Sequence, residues 1–158
     1  MNRRRVVVTG IGMLTPVGIG VEDCWRNLLA GQSGVSRITQ FDPDIHNLDV
    51  KIAAEVSDFT IQDFYPDKRK WGSMVKQMDR VTLFSMVASK LALEDANLEI
   101  RKIVPERVGT FIGTGVGGLI TTTSDYIRML EQGPKKLGLR TVIKLMPNAP
   151  SGQVAIEH

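Results

Sequence analysis

The chain has 158 residues, 42% of them hydrophobic and 23% charged, with a formal net charge of +3. That balance is too apolar for a disordered polymer and ordinary for one folded domain. The basic residues are scattered through Arg3-Arg4-Arg5, Lys68-Arg69-Lys70 and Lys135-Lys136 without interleaved aromatics, which leaves nucleic-acid binding unsupported. No apolar run approaches the ~18 residues of a membrane span.

Cys24 is the only cysteine, which excludes an intrachain disulfide and favours a reducing compartment. The basic start followed by an apolar run looks superficially like a secretory signal. Thr9, Gly10, Gly12 and Pro16 interrupt it, however, and no small-x-small cleavage site follows. Residues 4–13 instead predict a first strand, whose Val6-Val7-Val8 centre suits a sheet covered on both faces. A turn through Pro16, Gly18 and Gly20 leads to a helix over about 21–30, closed by Gly31. Val21, Trp25, Leu28 and Leu29 fall on one stripe of that helix, which predicts that they face the core.

Residues 31–79 form an irregular excursion. Extended pieces are expected at 35–38 and 50–56, and short helical pieces near 61–64 and 67–76. The strongest helix runs over about 79–97, with Asp79 as N-cap. Val81, Leu83, Phe84, Met86, Val87, Ala88, Leu91, Ala92, Leu93 and Ala96 surround it, so it must be buried between layers. So short a chain predicts that the covering elements come from a partner subunit or from further sequence.

A second buried strand is expected at 108–113, then a glycine loop, a helix over about 119–130 ended by Gly133-Pro134, a short segment at 140–146 and a helix from Ser151. The order of strands and helices makes this an α/β protein. The last residues, Ser151 to His158, read as a helix with no stop signal, which predicts a fragment.

Gly113-Thr114-Gly115-Val116-Gly117-Gly118 fits G-x-G-x-x-G between a strand and a helix, the setting of a dinucleotide-binding turn. It lies far into the chain, however, and no acidic residue follows about 20 positions on at the end of a strand. At the N-terminus Gly10-Ile11-Gly12 lacks a third glycine, and Pro16 breaks the helix that would cradle a pyrophosphate. Glycines that simply let backbone pass close to a neighbour are the bland alternative.

The dispersed motifs together carry more information than either glycine loop. They are Arg4-Arg5-Val6-Val7-Val8-Thr9-Gly10-Ile11-Gly12-Met13-Leu14-Thr15-Pro16-Val17-Gly18, Trp25 with Leu28-Leu29-Ala30-Gly31-Gln32-Ser33-Gly34-Val35, Phe41-Asp42, the loop from Gly113 to Leu119, Gly133-Pro134, and Pro147-Asn148 with Gly152. In that order and spacing the chain resembles the β-ketoacyl-carrier-protein synthases, most closely those of the synthase II type. The resemblance covers essentially the whole chain. It implies a thiolase-like, layered α-β-α-β-α fold of two similar halves. Residues 1–158 would supply most of the first half of a condensing-enzyme domain, without its third core strand.

The resemblance also implies a cytoplasmic homodimer that condenses an acyl thioester with malonyl-carrier protein and releases carbon dioxide. Its partner is the acyl-carrier protein with its phosphopantetheine arm, and no other cofactor or metal is implied. The family's catalytic cysteine and two histidines fall beyond His158, so no catalytic residue is expected within this chain. Cys24 follows Glu22 and Asp23, acidic neighbours that disfavour a thiolate, and reads as a packed helix residue. His46 lies in a polar loop and His158 at the chain end, both expected to be solvated. No third ligand accompanies them, so no metal site is expected. The Thr121-Thr122-Thr123-Ser124 hydroxyls have no base and read as a helix's first turn.

By the resemblance, Gly115 and Val116 line the acyl-chain pocket, and Thr141 and Val142 cross the dimer interface to help close the partner's pocket. Leu139-Arg140-Thr141-Val142-Ile143-Lys144 stands where the family commonly has an aromatic, proline-containing stretch, which leaves the preferred acyl length open. Two rival functions remain, a condensing-enzyme relative without a nucleophile that serves as a partner subunit, and a Rossmann dinucleotide-binding protein.

Overall fold

A computed structural model describes residues 3–45, 47–56 and 59–158; the expectation for His46 lies outside them. Helix α3, Arg80–Asp95, is the organising element. The Asp79 carboxylate accepts the Val81 amide at 3.2 Å and starts the helix. No residue from Val81 to Leu93 is fully exposed, as the apolar circumference predicts. The cover comes largely from this chain, not only from elements outside it. Helix α6, Ala149–Glu157, packs along α3. The excursion packs against it with Phe59, Ile61, Tyr65 and Trp71, which join Met86, Val87 and Val154 in the core. Trp71 is 2% exposed and its ring centroid lies 4.2 Å from that of Tyr65. Burial of side chains this size stabilises the fold by about 1.5–3 kcal/mol each.

The excursion is held by local devices. The strands β3, Val35–Arg37, and β4, Ile52–Ala54, pair antiparallel, as their extended character predicts. A 3-10 turn covers Ile61–Asp63, and α2 covers Lys68–Met74 with Asp67 accepting the Arg69 and Lys70 amides. Arg80 stacks 4.8 Å from the Phe84 ring centroid and 5.7 Å from that of Phe59, and it donates to the Val56 carbonyl.

The expected first strand over 4–13 is not paired. Within it Val6, Val7 and Val8 are 95%, 68% and 82% exposed. Among the described residues, the only paired strands nearby are β1, Leu14–Thr15, and β2, Gly18–Ile19, a minimal hairpin. A run of β-branched residues is buried on both faces only where a layer lies on each side. The described residues supply one side, because Gly10 and Gly12 rest on α3. A methyl group at Gly10 would overlap the Ala92 carbonyl oxygen, and one at Gly12 that of Ala88. The Ile11 amide donates to the Asp95 carboxylate at 2.8 Å and ties the segment to the end of α3.

The expected strand 108–113 is likewise unpaired, and Phe111 is 96% exposed. Thr9-Gly10 and Val108-Gly109-Thr110 both line a cavity of about 730 Å³ beside α3 and α6. Among the described residues, neither segment takes part in a sheet.

Helix α1 covers Val21–Leu29 and is closed by Gly31 at φ 68°, where glycine carries no Cβ penalty. The stripe expected to face the core does not. Trp25, Leu28 and Leu29 are 61%, 51% and 70% exposed. Instead Cys24 and Asn27 face the β1–β2 hairpin, and polar bonds orient the helix. The Cys24 thiol donates to the Gly18 carbonyl at 2.9 Å, and the Asn27 amide to that of Val17 at 2.6 Å.

The C-terminal part follows the sequence closely. Helix α4 is Leu119–Gln132, α5 is Thr141–Leu145, and α6 begins two residues before the expected Ser151. No helix among the described residues is long and apolar enough to cross a membrane.

Candidate functional site

The glycine loop 113–118 and helix α5 form one unit. Gly117, at φ 83°, and Gly118 pass so close to the end of α5 that side chains would not fit. A Cβ at Gly117 would lie 2.8 Å from the Leu145 carbonyl oxygen, and one at Gly118 would overlap that of Lys144. The Gly118 amide donates to the Leu145 carbonyl at 3.2 Å. The loop is braced internally by the Gly117 amide, which donates to the Thr114 hydroxyl at 3.1 Å. Gly113 and Gly115 differ from this pair, since a Cβ at either meets nothing within 4 Å.

The start of α4 is fixed from the other side. The buried Asp79 carboxylate, which caps α3, accepts the Thr121 amide through its second oxygen at 2.7 Å. One carboxylate therefore satisfies amides in the first turns of two helices. Further along α4, buried Asp125 accepts the Thr141 hydroxyl on one oxygen and Arg128 Nη1 at 2.9 Å on the other. The hydroxyls of Thr122, Thr123 and Ser124 bond carbonyls of their own turn, as expected of residues with no catalytic base.

Of the four candidate residues, Gly115 and Val116 lie in the loop, and Val116 is 62% exposed. Thr141 and Val142 open α5, with Thr141 half-buried on Asp125 and Val142 64% exposed. The structure thus joins the segments that carry the two pairs, through Gly117 and Gly118 on Lys144 and Leu145, and leaves two apolar side chains open to solvent. Of the two carboxylates that hold this unit, Asp79 was expected only as the N-cap of α3, and Asp125 was not singled out from the sequence. The available signal for Asp125 was an acid set among the hydroxyl-bearing and apolar residues of α4.

Cys24 is wholly buried, with its sulfur 3.2 Å from the Thr15 hydroxyl, a packed position like the one expected. His158 departs from expectation. It is half-buried, with Nε2 3.5 Å from the Tyr65 hydroxyl, which donates to the Met86 carbonyl at 3.2 Å. Burial lowers the imidazole pKa, against the opposing pull of Glu157. Burial raises that of Tyr65, with Glu157 and Glu94 adding to the effect. Among the described residues no cluster of His, Cys, Asp and Glu is placed to hold a metal ion.

Residues 3–158 match the family described as Beta-ketoacyl synthase, N-terminal domain. The chain is 35% identical over 156 residues to a 3-oxoacyl-[acyl-carrier-protein] synthase 2 of Staphylococcus aureus (strain COL), covering 99% of this chain and 36% of that protein. It is 37% identical over 158 residues to the synthase 2 of Coxiella burnetii, covering 100% and 36%. The chain therefore spans about a third of the length of these relatives. Among solved structures, the ishigamide ketosynthase/chain length factor superposes with a TM-score of 0.76 at 26% identity, over 98% of this chain and 37% of that one. A β-ketoacyl synthase from Burkholderia phymatum gives 0.74 at 26% identity, over 98% and 36%. These likenesses give the chain the thiolase-like α/β fold.

Proposed function

Because the chain belongs to the β-ketoacyl synthase family, we propose that it is the N-terminal part of a condensing domain acting on acyl and malonyl groups borne by an acyl-carrier protein. The whole protein then joins an acyl thioester to the carbanion left when malonyl loses carbon dioxide, in chain elongation of the fatty acid type. The observation that carries this reading is the family match across residues 3–158. Within this chain the residues assigned to the reaction bind rather than react. Gly115 leaves room for a ligand, since a Cβ there meets no described atom. Val116 and Val142 offer apolar surface to an acyl chain, and a second copy of the chain in a homodimer would supply Thr141 and Val142 to the partner's pocket. Cys24 takes no part, because its buried thiol already donates to a carbonyl. The Rossmann alternative has lost its basis, since the glycines of 117 and 118 serve a helix contact in a β-ketoacyl synthase domain.

Val116→Phe tests the pocket in the whole protein. Filling a space shaped for methylenes costs about 1–3 kcal/mol, so turnover of long acyl-carrier substrates should fall roughly ten- to hundredfold while short ones are spared. Equal losses at every length, together with a lower melting temperature, would remove Val116 from the pocket.

A further inference from the structure

Helix α5 has only five residues, Thr141–Leu145, far below the ~12–15 at which an isolated helix becomes even marginal in water. Its position is therefore set by its anchors. At its C-terminal end the anchor is the close passage of Gly117 and Gly118, with the Gly118 amide on the Leu145 carbonyl at 3.2 Å. At its N-terminal end the described side-chain anchor is the Thr141 hydroxyl on the Asp125 carboxylate. That carboxylate is well placed for the task. Its side chain is 10% exposed, and its other oxygen is held by Arg128 at 2.9 Å. A carboxylate bonded on both oxygens cannot turn without breaking one bond, so it fixes Thr141 in place, and with it the exposed Val142 and Ile143 that follow.

We propose that Asp125 is a positioning residue that acts through Thr141 to set the place of α5, and thereby the acyl length that the pocket accepts. The inference rests on the pocket reading of Thr141 and Val142 given above. Asp125 touches no substrate. It pins one end of the wall while the glycine pair pins the other, so loss of its bond frees the end that carries Val142. A freed wall admits chains that the fixed wall refuses, and holds less tightly those that fit it.

The test measures kcat and KM of the whole protein against a series of acyl-carrier chain lengths, with a melting curve for each variant. Thr141→Val removes the hydroxyl and keeps the shape, Asp125→Ala removes the acceptor, and Asp125→Asn keeps an oxygen that accepts the Thr141 hydroxyl. Thr141→Val and Asp125→Ala should shift the ratio of long- to short-chain kcat/KM by about tenfold, chiefly through KM. Asp125→Asn, which keeps the acceptor for Thr141 but loses the bond from Arg128, should fall between these variants and the unaltered protein. Should Asp125→Ala fail to fold, Thr141→Val carries the test alone. An unchanged ratio in a folded Thr141→Val, or losses equal at all lengths that track the melting temperature, would overturn the inference. Absence of condensation by the unaltered protein would overturn the function it rests on, and the inference with it.

Discussion

Asp79→Ala should unfold this chain more readily than any exposed substitution, with a loss of about 2–4 kcal/mol and a melting temperature roughly 10 °C lower. Two effects add. Removing an N-cap acceptor costs about 0.5–2 kcal/mol, and here the cap serves Val81 in α3. The same substitution strips the Thr121 amide of its partner at a buried site, and a buried donor left unsatisfied costs about 1–3 kcal/mol. Asp79→Asn keeps one acceptor oxygen and turns an amide toward the other N–H, so its loss should fall between the two. Thermal or urea unfolding followed by circular dichroism measures both. A melting temperature for Asp79→Ala within about 2 °C of the unaltered chain would show that the shared cap contributes little.

Gly12→Ala should be nearly as damaging although it adds one methyl group. The methyl would overlap the Ala88 carbonyl oxygen, and a helix carbonyl cannot swing aside as a side chain does. The N-terminal segment must then lift from α3, which breaks the 2.8 Å bond from the Ile11 amide to Asp95. Overpacking of this kind costs about 1–3 kcal/mol and sometimes more. Gly113→Ala is the matched control, since a Cβ there meets nothing within 4 Å and its backbone is not left-handed. It should be neutral or slightly stabilising. Equal effects of the two substitutions would mean that the close approach of Gly12 to α3 is not a constraint.

The helices were legible because their signals are local. Asp79 as a cap, Gly31 and Gly133 as stops, and the apolar circumference of α3 all act within a few residues. The outcome for the strands expected over 4–13 and 108–113 was not, because pairing is a property of neighbours. Val6-Val7-Val8 carries the pattern of a buried strand, yet its exposure depends on layers that the described residues do not supply. Helix α1 misled for a related reason. Its apolar stripe is real, but the face it turns to the hairpin is chosen by the bonds of Cys24 and Asn27. Close approach, the bland alternative for the glycines, holds for Gly10 and Gly12 on α3 and for Gly117 and Gly118 on α5, but not for Gly113 and Gly115, where a Cβ meets nothing within 4 Å. The family was legible from the dispersed motifs. The carboxylate bonds that brace the candidate segments were not, since Asp79 and Asp125 meet Thr121 and Thr141 only after the chain has folded.

The central claim is that this chain is the N-terminal part of a condensing enzyme, and one assay addresses it directly. The whole protein and the 158-residue chain are each given acyl-carrier protein loaded with an acyl group and with malonate. Products are then followed by mass spectrometry of the carrier. The whole protein should form 3-ketoacyl-carrier protein with release of carbon dioxide. The chain alone should form none above a blank, since its only cysteine is the buried Cys24. Condensation by the chain alone, or none by the whole protein with correctly loaded carriers, would contradict the account.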